Sequence, residues 1–167
     1  MKYLIIPTLI LALTTFARAE ATVTLEGVHN CCKSCANGIT KAASSVKGVT
    51  ATVEGTTVTL TAKSTASAKK AVEAIMDAGY YGSTGTESST ATAAPASKKL
   101  KGATVTNVHL CCGKCVKAVD AAVKSVAGVT GATIESKATS FTVEGEFEEA
   151  ELVAALNKAG FQGKVGK

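Results

Sequence analysis

The sequence predicts an α+β protein made of two βαββαβ units joined by a linker. Three observations predict it. The chain repeats itself at an offset of 80 residues, and its hydrophobic period switches between two and helical spacing in the same order in both copies. Between the copies runs a stretch with almost nothing large and apolar to bury. With His29 placed over His109, Cys31-Cys32-Lys33-Ser34-Cys35 falls on Cys111-Cys112-Gly113-Lys114-Cys115. Val46-Lys47-Gly48-Val49-Thr50 then falls on Val126-Ala127-Gly128-Val129-Thr130. One inserted residue, placed in a hairpin near Ser136, moves the offset to 81, where Ala78-Gly79-Tyr80 meets Ala159-Gly160-Phe161.

Residues 1–19 are set aside before the first strand. Lys2 gives a positive start, Leu4 to Phe16 is an apolar run of 13 residues, and Ala17-Arg18-Ala19 is a small-x-small cleavage signal. That is the layout of a secretory signal peptide, and the run is short for a membrane span. Cleavage after Ala19 leaves a chain beginning at Glu20, with no cysteine to lipidate there and no second hydrophobic run. The expected location is therefore periplasmic or secreted, with no membrane attachment after cleavage.

Val23 and Leu25 alternate with Thr22, Thr24 and Glu26, the pattern of a half-buried strand. After the cysteine loop, Cys35, Ile39, Ala42, Ala43 and Val46 recur at helical spacing until Gly48. Val49 to Glu54 and Thr57 to Thr61 read as a hairpin around Gly55-Thr56. Ala68, Ala71, Val72, Ile75 and Met76 make a second helix ending at Gly79, and a short strand is expected after it. The second unit repeats the order: strand 103–108, helix 114–126, strands 129–135 and 139–144, helix 148–158, strand 161–165. Glu148 and Glu149 are placed in the first helical turn, where the dipole favours acids. Strand, helix, strand, strand, helix, strand is the split βαβ, or ferredoxin-like, arrangement. The boundaries follow: signal peptide 1–19, first domain 20–86, a Ser/Thr/Ala/Lys linker 87–101, second domain 102–167. The two domains are expected to be independent bodies on a flexible tether.

Charge excludes a nucleic-acid partner. Removing Lys2 and Arg18 from the +5 of the whole chain leaves +3, evenly spread. Only Tyr80, Tyr81, Phe141, Phe147 and Phe161 remain to stack on bases.

All six cysteines follow residue 19, in two identical clusters. Each lies after a strand and opens a helix, where unpaired backbone N–H groups and the positive dipole end stabilise thiolate and lower thiol pKa values. Lys33 and Lys114 add positive charge beside them. Thiolate is the metal-binding form, and soft sulfur donors favour Cu(I), Zn(II) or heavier thiophilic ions such as Hg(II) over Mg or Ca. Cys32, Cys35, Cys112 and Cys115 are the candidate ligand pairs. Cys31 and Cys111 are candidates for a third thiolate, or else are packing thiols or partners in metal exchange. His29 and His109 are candidate auxiliary ligands, giving a Cys₃His set familiar for zinc, or are packed and hydrogen-bonded beside the loop.

These residues carry a resemblance. The units resemble heavy-metal-associated domains, the copper-chaperone-like family that includes metal-pump N-terminal modules and the periplasmic mercuric-ion-binding protein. The family's Cys-x-x-Cys maps onto Cys32 and Cys35, and onto Cys112 and Cys115. Its Ala-Gly-aromatic turn maps onto Ala78-Gly79-Tyr80 and Ala159-Gly160-Phe161, so the likeness covers roughly residues 21–86 and 102–166. The resemblance implies two tandem ferredoxin-like domains, a metal-ion cargo with Cu(I) first, and sequestration or transfer without catalysis. Its implied partner is a metal-transporting protein with its own cysteine site. Where the family has Gly-Met before the loop, this sequence has His29-Asn30 and His109-Leu110. The family Met packs in the core, a role Leu110 fills more easily than Asn30.

Two other readings compete. Cys-x-x-Cys at a helix start is also a redox motif, so a thiol-disulfide oxidoreductase is the alternative function. Each unit is short for a thioredoxin-like fold, and neither loop has a proline-containing active-site dipeptide. In an oxidising compartment the cysteines could instead be structural disulfides, although a bond between adjacent cysteines is strained. No Ser/His/Asp set, phosphate loop or paired-carboxylate constellation is visible.

Overall fold

The computed structural model describes residues 20–85 and 98–166. The first unit runs β1 (Ala21–Leu25), α1 (Lys33–Ser44), β2 (Val49–Glu54), β3 (Thr57–Ala62) and α2 (Thr65–Asp77). The second runs β4 (Lys99–Thr106), α3 (Gly113–Lys124), β5 (Val129–Thr133), β6 (Ser140–Glu148), α4 (Glu149–Lys158) and β7 (Lys164–Gly166). Both sheets are antiparallel, in the orders β1-β3-β2 and β5-β6-β4-β7. The architecture is mixed α/β, with a ferredoxin-type second unit. The segment read as a signal peptide lies outside the described residues, as does most of the linker. No helix of the described residues is long and apolar enough to cross a membrane.

Alternation selects the strands. In β3 the side chains of Val58, Leu60 and Ala62 are buried and the intervening threonines are not. In β6, Phe141, Val143 and Phe147 are buried. Helix α1 turns Cys35, Ile39 and Ala43 inward, and α2 turns Ala68, Ala71, Val72 and Ile75 inward. Each fully buried Ile or Leu here contributes about 1.5–3 kcal/mol of transfer free energy. Ser64 caps α2, its hydroxyl accepting from Ser67 N–H at 3.2 Å.

Several expectations need correction. The first sheet has three strands, because Ser83 makes only an isolated bridge to Glu26 in place of a fourth. Chain beyond Tyr80 is committed elsewhere: Tyr81 N–H donates to Gly160 O of the second unit, and Gly82 presses on Leu25 and Val28. The end of the expected linker is a strand, since Lys99–Lys101 pair with Glu146–Glu148 and Leu100 is buried. Acids of the first turn of α4 are Glu149 and Glu151, with Glu148 at the N-cap. The hairpin insertion is also larger than one residue. Val28 N–H donates to Thr56 O, and the matching Val108 N–H donates to Thr139 O, so the second hairpin is three residues longer. Two residues are lost again where β6 runs directly into α4, and a gapless comparison sees only the net difference.

The units are not independent bodies. They meet at their Ala-Gly-aromatic turns, where Tyr80 and Phe161 form an antiparallel bridge. Tyr81 N–H donates to Gly160 O at 3.0 Å, and Gln162 N–H donates to Gly79 O at 3.1 Å. The contact is reciprocal, each glycine carbonyl accepting from the residue two past the other turn's glycine.

Candidate metal centre

Both cysteine loops join a strand to a helix. Buried Val28 and Val108 anchor them through the hydrogen bonds just described. Cys32 is the N-cap of α1 and Cys112 the N-cap of α3, each in extended conformation, so the first-turn N–H groups of the helices face the thiols. Cys35 and Cys115 lie one turn on and are fully buried, while Cys31, Cys32, Cys111 and Cys112 are half-buried. All six are free thiols.

The environment splits them electrostatically. Hydrogen bonding from the Cys35 backbone holds the Cys32 thiol below its ordinary range. Those from the backbones of Cys115 and Lys114 bring Cys112 down to about 6. Burial out of water pushes Cys31, Cys111 and Cys115 up, and at Cys31 and Cys111 bonds donated to neighbouring sulfurs add to the rise. The expected lowering therefore holds at the two N-cap cysteines and is reversed at those three. Backbone dipoles reach the caps, whereas the other three sit among sulfurs in low dielectric.

The sulfurs of both units converge. Within the first loop, Sγ of Cys35 lies 3.8 Å from Cys31 and 3.7 Å from Cys32. Within the second, Cys115 lies 3.6 Å from Cys111 and 3.9 Å from Cys112. Across the interface, Cys31 is 3.8 Å from Cys112 and 3.7 Å from Cys115, and Cys32 is 3.8 Å from Cys111. Cys35 is 3.4 Å from Cys111 and 4.0 Å from Cys115. Four sets of donors lie within 4.8 Å of one another: Cys31/Cys32/Cys112, Cys32/Cys35/Cys111, Cys111/Cys112/Cys115 and His29/Cys31/Cys115.

The histidines stack across the interface. His29 lies on Phe161 with ring centroids 4.3 Å apart, and His109 lies on Tyr80 at 4.4 Å. Burial lowers both imidazole pKa values, so both rings are neutral at pH 7. Each Nε2 is buried without a hydrogen-bond partner. His29 belongs to one of the donor sets and His109 to none of them. Asn30 Nδ2 donates to Gly55 O at 2.8 Å, whereas Leu110 is buried.

Spacing gave all six cysteines but not that they meet. The residues that bring them together are those of the Ala-Gly-aromatic turns. Gly79 sits at φ +87, and a Cβ there would overlap backbone of Asn107, Val108 and His109. Gly160, at φ +82, would likewise overlap Gly27 and His29. The duplicated glycine was the available signal. A helix end explains a positive φ at such a position, but not a neighbour that forbids any side chain. Tyr80 explains Gly38, whose Cβ would strike the phenol oxygen. In the second unit the aligned residues are Phe161, which lacks that oxygen, and Ala118.

Residues 105–162 match the sequence model of the heavy-metal-associated domain, a span that includes Cys111, Cys112 and Cys115. No curated protein matches the chain. Two solved structures are similar to it. The N-terminal soluble domains of Bacillus subtilis CopA are 17% identical over 89% of this chain and 95% of that one, with a TM-score of 0.33. The water-soluble region of the P-type ATPase CopA from Bacillus subtilis is 20% identical over 89% and 92%, also with a TM-score of 0.33.

Proposed function

We propose that this protein binds soft metal ions through Cys31, Cys32, Cys35, Cys111, Cys112 and Cys115 and sequesters them or hands them on, without catalysis. The observation that carries this reading is the meeting of six thiols, at sulfur–sulfur distances of 3.4–4.0 Å, between two helix N-termini. Crowded thiols give up protons unwillingly to water, and a soft cation replaces those protons. The heavy-metal-associated match over residues 105–162 supports the same chemistry.

Cu(I) is the first choice of cargo, because the donor sets hold three members and soft thiolates with few ligands suit it. Hg(II) shares that preference. Zn(II) closes a structural site with four donors, and His29 is the one imidazole in a donor set. The redox reading is not favoured: Cys35 touches four other sulfurs rather than one exchange partner.

The proposed layout is a signal peptide over 1–19, on its charge and cleavage pattern, and tandem heavy-metal-associated domains, one over 20–86 and the second read as 102–167 and extended back to the start of β4 at Lys99. Export follows from the first segment. A transporter presenting its own cysteines is the fitting partner, since thiolate exchange moves an ion without releasing it. Reduced, metal-free protein titrated with Cu(I) against a competing chelator should bind tightly. Cys32→Ser with Cys35→Ser should abolish binding in the first unit and leave a tight site at Cys111, Cys112 and Cys115. Wild-type protein that loses Cu(I) to a weak chelator would refute the reading.

A further inference from the structure

We infer that the six sulfurs form one octahedral cage shaped for four three-coordinate ions, each cysteine bridging two of them. This deepens the soft-metal reading and rests on it.

The contact pattern carries the inference. Nine sulfur pairs lie at 3.4–4.0 Å. Three more, Cys31/Cys32, Cys32/Cys112 and Cys111/Cys112, lie within 4.8 Å. The pairs left over are Cys31/Cys111, Cys32/Cys115 and Cys35/Cys112, and they share no residue. Six points that each touch four others and miss one are the corners of an octahedron.

Four alternate faces of an octahedron meet only at corners. Here they are Cys31/Cys32/Cys112, Cys32/Cys35/Cys111, Cys111/Cys112/Cys115 and Cys31/Cys35/Cys115. Three are donor sets within 4.8 Å. The fourth has edges of 3.8, 3.7 and 4.0 Å. In Cys32/Cys35/Cys111 and Cys31/Cys35/Cys115, whose edges are all 3.4–4.0 Å, an ion at the centre of the face sits about 2.0–2.3 Å from each sulfur, the range of metal–thiolate bonds. The edges of the other two faces, within 4.8 Å, draw in on loading. No four of these sulfurs are all joined by the contacts of 4.0 Å or less, so their close packing offers no tetrahedral hole. Three-coordinate Cu(I) is the ion that fits.

The extra cysteines acquire a purpose. Every one of the four faces contains either Cys31 or Cys111, so without them only the two Cys-x-x-Cys pairs remain. Loading is balanced as proton exchange: six thiols release six protons to buffer, four Cu(I) ions enter, and no electron moves. The resulting double negative charge faces the N-termini of α1 and α3.

The test is native mass spectrometry of the reduced, metal-free protein titrated with Cu(I), followed by copper-edge absorption of the main species. Four ions per chain are expected, each with three sulfurs and with copper neighbours at about two-thirds of the sulfur edge, roughly 2.5 Å. Cys31→Ser with Cys111→Ser should reduce the count to two and remove the copper neighbours while binding stays tight. Cys31→Ser alone and Cys111→Ser alone should each lose two ions. One or two ions on the wild type, without copper neighbours, overturns the cage and leaves the soft-metal reading standing. No tight binding at all overturns both.

Discussion

Gly160→Ala separates the interface from the ligands. The substitution touches no cysteine, yet its Cβ would overlap His29 N and Gly27 O, with His29 Cα at 3.0 Å. An L-residue at φ +82 costs about 1–2 kcal/mol from the left-handed backbone alone. The blocking atoms are backbone, so no rotamer change relieves them. Carbon contacts need about 3.5–4.0 Å, and the turn and loop must therefore part by roughly 1 Å. Parting weakens the bonds that Gly160 O accepts from His29 N–H at 3.3 Å and Tyr81 N–H at 3.0 Å. It also spreads the cross-unit sulfurs to roughly 4.5–5 Å, wider than the ~4.0 Å that three 2.3 Å bonds in a plane can span. Contacts inside each loop survive. Native mass spectrometry should show the four-ion species replaced by chains carrying one ion per unit. The His29 ring protons should lose their upfield shift from Phe161 in NMR. Gly55→Ala is the control, with φ +57 and nothing within 4 Å of its Cβ. It carries similar backbone strain and should keep the four-ion species. Retention of that species by Gly160→Ala, with the His29 shift unchanged, would refute the argument.

Other residues give further expectations. Gly38→Ala forces its Cβ against the Tyr80 hydroxyl and should cost about 1–3 kcal/mol in denaturant unfolding, whereas Gly38→Ala with Tyr80→Phe should recover most of it, as Ala118 with Phe161 already does. Leu110→Ala should cost about 2–5 kcal/mol, because Leu110 is 2% exposed. Asn30→Ala removes one hydrogen bond to Gly55 O and should cost only about 1 kcal/mol in the same assay. Cys112 ionises near pH 6 in the metal-free protein, below the ordinary 9.0, so its thiolate form is present from about pH 6 upward and is lost as pH falls through that value. Alkylation followed by peptide mass spectrometry at pH 7 should therefore label Cys112 faster than Cys31 or Cys111, whose thiols burial keeps protonated.

Much of the fold was legible because strands and helices leave different hydrophobic periods in the chain. Val58, Leu60 and Ala62 mark β3 by alternation, and Ala68, Ala71, Val72 and Ile75 mark α2 by helical spacing. Lys99-Leu100-Lys101 carries the same alternation, but its lysines made it read as linker. Pairing to Glu146–Glu148, including Lys101 Nζ to Glu146 Oε1 at 3.4 Å, makes it strand. The missing fourth strand of the first sheet could not be read locally, because Tyr81 is drawn away by the other unit. Of the candidate site, spacing gives the cysteines and their place at helix starts. It does not give the cage, since a contact such as Cys35 to Cys111 depends on how two units dock. That docking is set by glycines and rings whose partners lie from about 30 residues away, as Tyr80 and His109 do, to about 130, as His29 and Phe161 do.

Copper protection of individual cysteines tests the shared site most directly. Reduced protein is loaded with increasing Cu(I), treated with iodoacetamide, digested, and each cysteine's labelling is read by mass spectrometry. The account predicts that all six cysteines become protected with one common dependence on copper. Protection of Cys32, Cys35, Cys112 and Cys115 alone, with Cys31 and Cys111 still freely labelled at saturation, would contradict it.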